Sequence, residues 1–488
     1  MSATLRVLFL AAEAEPFVKV GGLGDVAGAL PRALRALPRP VSGDIQVDVR
    51  LVLPFHASIR ANSATLHPVA DFLIYRRGGS VRAQVYSIER HGLPVYFIAG
   101  DVISTAPTIY AADPALDREK YTFFSLAAVE MTRYLEWRPH ILHANDWHTA
   151  LALYAVRSRR TTASFARLKT ALTLHNLPYM GGDGSDVLNA YGLTPLQDDR
   201  LPDWARTYPL PLGLWAADAI IPVSPSYARE ILTPAFGCGL ETFLQSRADV
   251  ITGILNGLDY HLWNPESDPA LARNYTAHSL DLRLENKLAL QQQLDLPADL
   301  RLPLFGMVTR LDPQKGIDLA IEALRQLPEK SWQAVFLGTG DPALEGALRA
   351  LQEEFPNRVR AVLRYDAALS RRIYAGADML LMPSRYEPCG LAQMIAMRYG
   401  CVPIVHAVGG LKDTVQEGKN GFLFTEATAE ALVEALQRAL SVYAHPTRWR
   451  RFQRDGMAQE FSWEKSAAQY LNLYQSLASD RLSGERGQ

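Results

Sequence analysis

The sequence predicts an α/β protein made of two doubly wound domains. Three observations carry this. The chain has 488 residues, more than one hydrophobic core usually serves. Short β-rich apolar runs alternate with amphipathic stretches through both halves. Glycine- or proline-containing loops with charged residues follow several of those runs, at the strand ends where α/β sheets bind ligands.

In the first half the strand candidates are Leu5 to Ala12, Val47 to Leu53, Val95 to Ile98, Ile141 to His143, Ala171 to Leu174 and Ala219 to Val223. The intervening amphipathic segments imply a mainly parallel sheet covered on both faces. A further strand is expected near Val250 to Leu255, leading into Asn256-Gly257-Leu258-Asp259. The domain joint is expected there. The first domain is residues 1–252 and the second residues 253–461.

The second half repeats the pattern: Pro303 to Val308, Ala334 to Leu337, Val359 to Leu363, Met379 to Met382, Val402 to Val405 and Phe422 to Phe424 read as strands. Ile317 to Leu327 and Ala343 to Phe355 read as helices between them. The last amphipathic segment, Trp463 to Leu477, is expected to return to the first domain, so residues 462–488 are assigned to it. Ser483 to Gln488 read as a frayed end. The expected ligand site is a cleft between the domains.

Composition excludes several functions. Fifty basic against 51 acidic residues leave no global charge to draw nucleic acid or an anionic membrane. Cys238, Cys389 and Cys401 show no metal-ligand spacing and cannot all pair, which fits a reduced compartment. The opening Met1-Ser2-Ala3-Thr4 has no basic region and is followed by no long apolar stretch, so neither export nor membrane insertion is expected. A cytoplasmic location follows as an expectation.

Three loops carry the chemistry. Lys19-Val20-Gly21-Gly22-Leu23-Gly24-Asp25 follows the first strand and opens a helical stretch from Val26 to Leu37, so its amides and Lys19 can meet a phosphate. A glycine-rich turn with no ligand is the alternative, but a turn has no use for a cation. Arg310-Leu311-Asp312-Pro313-Gln314-Lys315-Gly316 follows the first strand of the second domain and places two cations on one loop, a clamp for a departing diphosphate. Solvated surface charge is its alternative. Ser384-Arg385-Tyr386-Glu387-Pro388-Cys389-Gly390-Leu391 joins the strand ending at Met382 to a helix from about Leu391. Glu387 can accept sugar hydroxyls there while the Gly390 and Leu391 amides face phosphate oxygens; a helix-start carboxylate favoured by the macrodipole is the alternative. Three further candidates stand alone: His148, for a sugar hydroxyl or a structural role; Tyr374, for a nucleobase or the core; and Asn256, for a turn or a ligand.

Taken in order, Lys19 to Asp25, His143 to His148, Thr173 to Pro178, Asn256 to Asp259, Arg310 to Gly316, Gly338 to Asp341 and Tyr374 to Leu391 resemble the retaining glycogen and starch synthases of bacteria, over nearly the whole chain. The resemblance implies a GT-B fold of two Rossmann-like domains. It also implies transfer of glucose from ADP-glucose to the non-reducing end of an α-1,4-glucan, glycogen or a maltooligosaccharide, with retention and release of ADP. It assigns Lys19, Gly21, Gly22 and Asp25 to the donor and Arg310 and Lys315 to the leaving phosphates. Glu387 falls to the glucose, faced by His148, with Cys389, Gly390 and Leu391 in the same donor loop. Tyr374 is assigned to the adenine and Asn256 to the sugar or phosphate. No metal or other cofactor is expected, because the lysine and arginine supply the charge.

Two positions depart from the family pattern. Val20 stands where threonine is common, and Ile395 stands where many related transferases carry a second glutamate. A UDP-sugar transferase, a glucan phosphorylase and a catalytically silent glucan-binding protein are the competing readings.

Overall fold

A computed structural model describes residues 3–38, 41, 45–60, 66–106, 108–328 and 332–479. The chain forms two compact units, Met1–Gly257 with Trp463–Gln488, and Leu258–Ser462. The frayed end expected from Ser483 lies outside the described residues.

In the first unit β1 (Ala3–Leu10), β2 (Ile45–Pro54), β3 (His67–Ile74), β4 (Val81–Arg90), β5 (Leu93–Ala99), β6 (Ile141–Asn145), β7 (Lys169–Leu174) and β8 (Ala219–Pro222) form a sheet of order β3-β4-β5-β2-β1-β6-β7-β8. The six strands from β5 to β8 are parallel and wound outward from β1, the doubly wound order. β3 and β4 are antiparallel additions at one edge that the sequence reading passed over. Their burial shows why: only two of the eight β3 positions are buried, so it lacks the continuous apolar run that marks a strand covered on both faces.

The helix Trp463–Leu477 packs in this unit against the helix Gly22–Ala36. It is fastened by polar bonds through the sheet: the Tyr474 hydroxyl meets His143 Nδ1, His143 Nε2 lies 2.7 Å from the Thr173 hydroxyl, and Ser466 donates to Leu255 O at 2.6 Å. The strand expected near Val250 to Leu255 is an extended segment with one bridge, Ile251 to Ile220. Thr252 and Ile254 N–H donate to Ile220 and Pro222 along the β8 edge, which holds the segment in the first unit. The boundary therefore falls after Gly257 rather than at residue 252, and Asn256 belongs to the first unit.

The second unit has β9 (Leu304–Val308), β10 (Gln333–Leu337), β11 (Val359–Val362), β12 (Met379–Met382), β13 (Val402–His406) and β14 (Phe422–Phe424), all parallel in the order β11-β10-β9-β12-β13-β14. Side chains such as Phe305, Ala334, Met379 and Ile404 are wholly or almost wholly buried because helices cover both faces. Winding reverses between β9 and β12, so the loops after these two strands splay apart and open a crevice at their carboxyl ends.

Candidate functional site

Both carboxyl-end loops of the second unit bend into that crevice. Gly316 ends the first loop and precedes the helix Ile317–Gln326; its φ of 66° and a Cβ that would lie 2.1 Å from Pro383 O leave no room for another residue. The loops are stitched together as well. Arg385 N–H donates to Gln314 O at 2.8 Å, the Gln314 amide to Tyr386 O at 3.0 Å, and Arg385 forms a two-pronged ion pair with Asp318 at 2.9 and 2.6 Å. A cavity of about 110 Å³ results, lined by Thr309, Lys315, Ser384, Glu387, Gly390 and Leu391 among others.

Lys315 and Glu387 meet inside it. Lys315 Nζ lies 2.9 and 2.7 Å from the two carboxylate oxygens, and the Ser384 hydroxyl donates to Oε2 at 2.9 Å. The pair is mostly shielded, with side-chain exposures of 16 and 9%. Arg310 is different: it is exposed, and no hydrogen bond or ion pair reaches its guanidinium among the described residues. One cation is thus fixed and one is available for a ligand. Gly390 adopts φ 70°, Cys389 is buried, and Leu391 caps a helix that begins at Ala392.

Tyr374 is not part of this crevice. The helix Ala367–Gly376 runs back to the amino edge of the sheet, where Asp378 N–H donates to Leu304 O, and Tyr374 is buried against Trp263 and Tyr399 near its last turn. It lies at the opposite end of the strands from Lys315 and presents no free face to a base, so the core alternative holds. An aromatic that does stand free in this unit is Tyr365, 84% exposed in the loop after β11. Strand spacing sets the carboxyl end of β11 about 10 Å from that of β9, within the span of a nucleoside diphosphate. Its sequence signal was its place just after a strand.

In the first unit the corresponding switch lies between β1 and β6. Lys19 pairs with Asp25 at 2.6 Å, with side chains 34 and 27% exposed. The expected free amides of this loop are occupied: Glu13, just after β1, accepts from Val20 N–H and, at 3.1 Å, from Gly21 N–H. Gly22 opens the helix Gly22–Ala36. A buried carboxylate on the chain therefore fills the place given to phosphate at Gly21. Glu13 is almost fully buried, which raises its pKa, and the Tyr110 hydroxyl donates to it at 3.1 Å.

His148 lies beside Trp147, Tyr110 and Tyr121, with ring centroids 4.2, 5.1 and 4.7 Å away. Burial lowers its pKa to about 3, so it is neutral, and its Nδ1 has no hydrogen-bond partner. Asp146, at φ 53°, accepts from His175 N–H at 2.7 Å and is pushed by burial up to about 7. Asn256 is buried with its Oδ1 unpartnered. The sequence reading did not single out Glu13, Tyr110, Asp146 or Ser384 as site residues. For Glu13, Asp146 and Ser384 the signal was position, in or beside a loop carrying a candidate; Tyr110 had none, because only the fold brings it to Glu13.

Residues 6–246 match the starch synthase catalytic domain, and residues 292–455 match the glycosyl transferases group 1 domain. The catalytic domain of starch synthase IV from Arabidopsis thaliana, solved bound to ADP and acarbose, superposes with a TM-score of 0.87 at 33% identity, covering 98% of this chain and 100% of that one. Two doubly wound units with these loops define a glycosyltransferase of the GT-B class. A glycogen synthase of Anaeromyxobacter dehalogenans (strain 2CP-C) is 42% identical over 97% of this chain and all of its own, and one of Desulforudis audaxviator is 39% identical over 99 and 98%. The chain belongs to the glycogen synthase family. A nucleotide-sugar donor and a glucan acceptor come with that membership. Among the described residues no helix is long and apolar enough to cross a membrane, and no three His, Cys, Asp or Glu side chains converge as a metal site.

Proposed function

We propose that the chain moves glucose from ADP-glucose to the 4-hydroxyl at the non-reducing end of glycogen or a maltooligosaccharide, retaining configuration and releasing ADP. The observation that carries this is the shielded Lys315–Glu387 pair in the crevice between β9 and β12. A cation and a carboxylate held side by side suit a ligand that joins a diphosphate to a sugar. ADP as the nucleotide is supported by the Arabidopsis relative, whose structure holds it.

In this reading the bond from the anomeric carbon to the diphosphate oxygen breaks first, and negative charge grows on the leaving group. Lys315 and Arg310 stabilise that charge more strongly in the transition state than in the bound donor. Glu387 holds the glucose hydroxyls. The acceptor hydroxyl attacks on the face the diphosphate leaves, forms the new carbon–oxygen bond, and passes its proton to the departing phosphate oxygen. Lys19 and the neutral, unpartnered His148 Nδ1 are assigned to donor oxygens and a sugar hydroxyl, with Asn256 Oδ1 as an acceptor. Gly22 and Asp25 are assigned to the donor beside Lys19, and Gly390 and Leu391 beside Glu387, with Cys389 buried in that second loop. Tyr365 takes the adenine in place of Tyr374.

We extend the proposal to a reaction without a divalent cation, because Arg310 and Lys315 supply the charge, and to a cytoplasmic enzyme. Cell fractionation tests the location, and activity unchanged after EDTA dialysis tests the metal. The main test is incubation with ADP-glucose and maltooligosaccharide, which should release ADP and lengthen the oligomer. A folded sample that does neither defeats the assignment. Preference for UDP-glucose in direct competition would overturn the choice of base.

A further inference from the structure

His406 closes β13 directly below the donor loop, and both of its ring nitrogens face carbonyl oxygens. Nδ1 lies 2.8 Å from Ser384 O and Nε2 lies 3.2 Å from Thr425 O. The ring is buried and stacked on Phe424 at 5.4 Å. A carbonyl oxygen only accepts, and a neutral imidazole has one N–H. Both contacts are hydrogen bonds only in the imidazolium; in the neutral ring a lone pair points at one of the two oxygens.

The same Ser384 whose carbonyl meets His406 donates its hydroxyl to Glu387 Oε2, and Glu387 in turn holds Lys315. A continuous chain of bonds therefore runs from Thr425, beyond β14, through His406 and Ser384 to the carboxylate in the cavity. We propose that His406 is a positioning residue for Glu387 that works as the imidazolium, so that glucosyl transfer weakens as this ring loses its proton. The proposal rests on the reading that Glu387 holds the donor sugar.

Several charged groups belong to the elements packed around the carboxyl end of β13. Arg385 and Glu387 come from the loop after β12, Lys315 from the loop after β9, Lys412 and Asp413 from the helix Gly409–Thr414, and Glu426 and Glu430 from the segment after β14. Among the described residues none of them forms an ion pair with the His406 ring; Arg385 is engaged by Asp318 and Lys315 by Glu387.

The test compares wild type with His406→Gln and His406→Arg, measuring kcat/KM for ADP-glucose with maltooligosaccharide from about pH 6 to about pH 8, where histidine charge changes fall. His406→Gln should be about fivefold to tenfold less active than wild type at the acid end, the loss of one hydrogen bond, and should converge with it at the alkaline end. Affinity for ADP alone, which lacks the sugar, should change less than about twofold. His406→Arg, a permanent double donor, should gain on wild type as pH rises, provided it melts like wild type. If it melts lower, the His406→Gln ratio decides. A ratio that stays constant across the range, or wild-type activity in His406→Gln, overturns the proposal.

Inactive wild type would instead defeat the functional reading. In that case the ring 15N shifts of His406, assigned by their absence in His406→Gln, judge the histidine by itself. Two protonated nitrogens at the acid end support it, and a neutral ring throughout overturns it.

Discussion

The two units share the order of their six parallel strands but end their sheets in opposite electrostatic styles. In the second unit the crevice holds a satisfied ion pair: Lys315 reaches both oxygens of Glu387, Ser384 completes the carboxylate, and Gln314 and Arg385 tie the loops together. In the first, burial governs. Glu13 and Asp146 are held toward their neutral forms, His148 is neutral with an unpartnered nitrogen, and Lys19 is a half-exposed cation with one acidic neighbour. The contrast teaches a division of labour. In the proposed reading the second unit supplies charge to both the leaving group and the glucose hydroxyls, and the first unit adds the uncharged His148 Nδ1 for a sugar hydroxyl.

The largest effect that sharpens this contrast is acid lability of the first unit. Burial lowers His56 to about 4 and His143, His148 and His175 to about 3, from an ordinary 6.5. The unfolded chain binds these protons below pH 6.5 and the folded unit does not, so stability is full above 6.5 and is lost as pH falls toward 3. Each histidine contributes a slope of about 1.4 kcal/mol per pH unit. Asp146, raised from 3.8 to about 7, acts in the other sense between those values and cancels one of them. Hydrogen exchange along a falling pH series should show β6 and β7 of the first unit opening before β9 and β12 of the second. The reverse order would break the comparison.

Tyr374→Ala comes next. Emptying its place against Trp263 and Tyr399 should cost about 3–5 kcal/mol of stability, measured by denaturant unfolding, and leave ADP affinity of the folded fraction unchanged. Lys315→Ala should lower turnover by about 10²–10³-fold. It also leaves Glu387 shielded with only Ser384 as partner, so it should melt below the double variant Lys315→Ala with Glu387→Gln, which removes the stranded charge but does not recover activity. Smaller again, Tyr365→Ala should weaken ADP binding about tenfold with no change in melting. Lys19→Ala should alter stability by under about 1 kcal/mol, because its pair with Asp25 is solvent-screened, while still reducing kcat/KM. Wild-type kcat/KM in that variant would remove Lys19 from the reaction.

Much of the fold was legible because strands buried on both faces read as unbroken apolar runs, as in β12 and Val402 to Val405 of β13. The antiparallel pair β3 and β4 was not, since its exposed face dilutes the run. Lys315 and Glu387 were legible from their loops, but their contact was not, because 72 residues separate them and only the winding reversal brings them together. Tyr374 misled because helix periodicity says nothing about which end of a sheet a residue occupies. Glu13 was hidden because a carboxylate next to a glycine loop looks like ordinary loop polarity; only the fold shows that it takes the loop's amides.

The central claim is that the Lys315–Glu387 crevice receives the donor's diphosphate and sugar. A crystal structure with ADP and glucose tests it most directly. Phosphate oxygens within hydrogen-bonding distance of Lys315 Nζ, with glucose hydroxyls on Glu387, are the expected result; ADP bound elsewhere, with the Lys315–Glu387 pair undisturbed and its cavity empty, would contradict it.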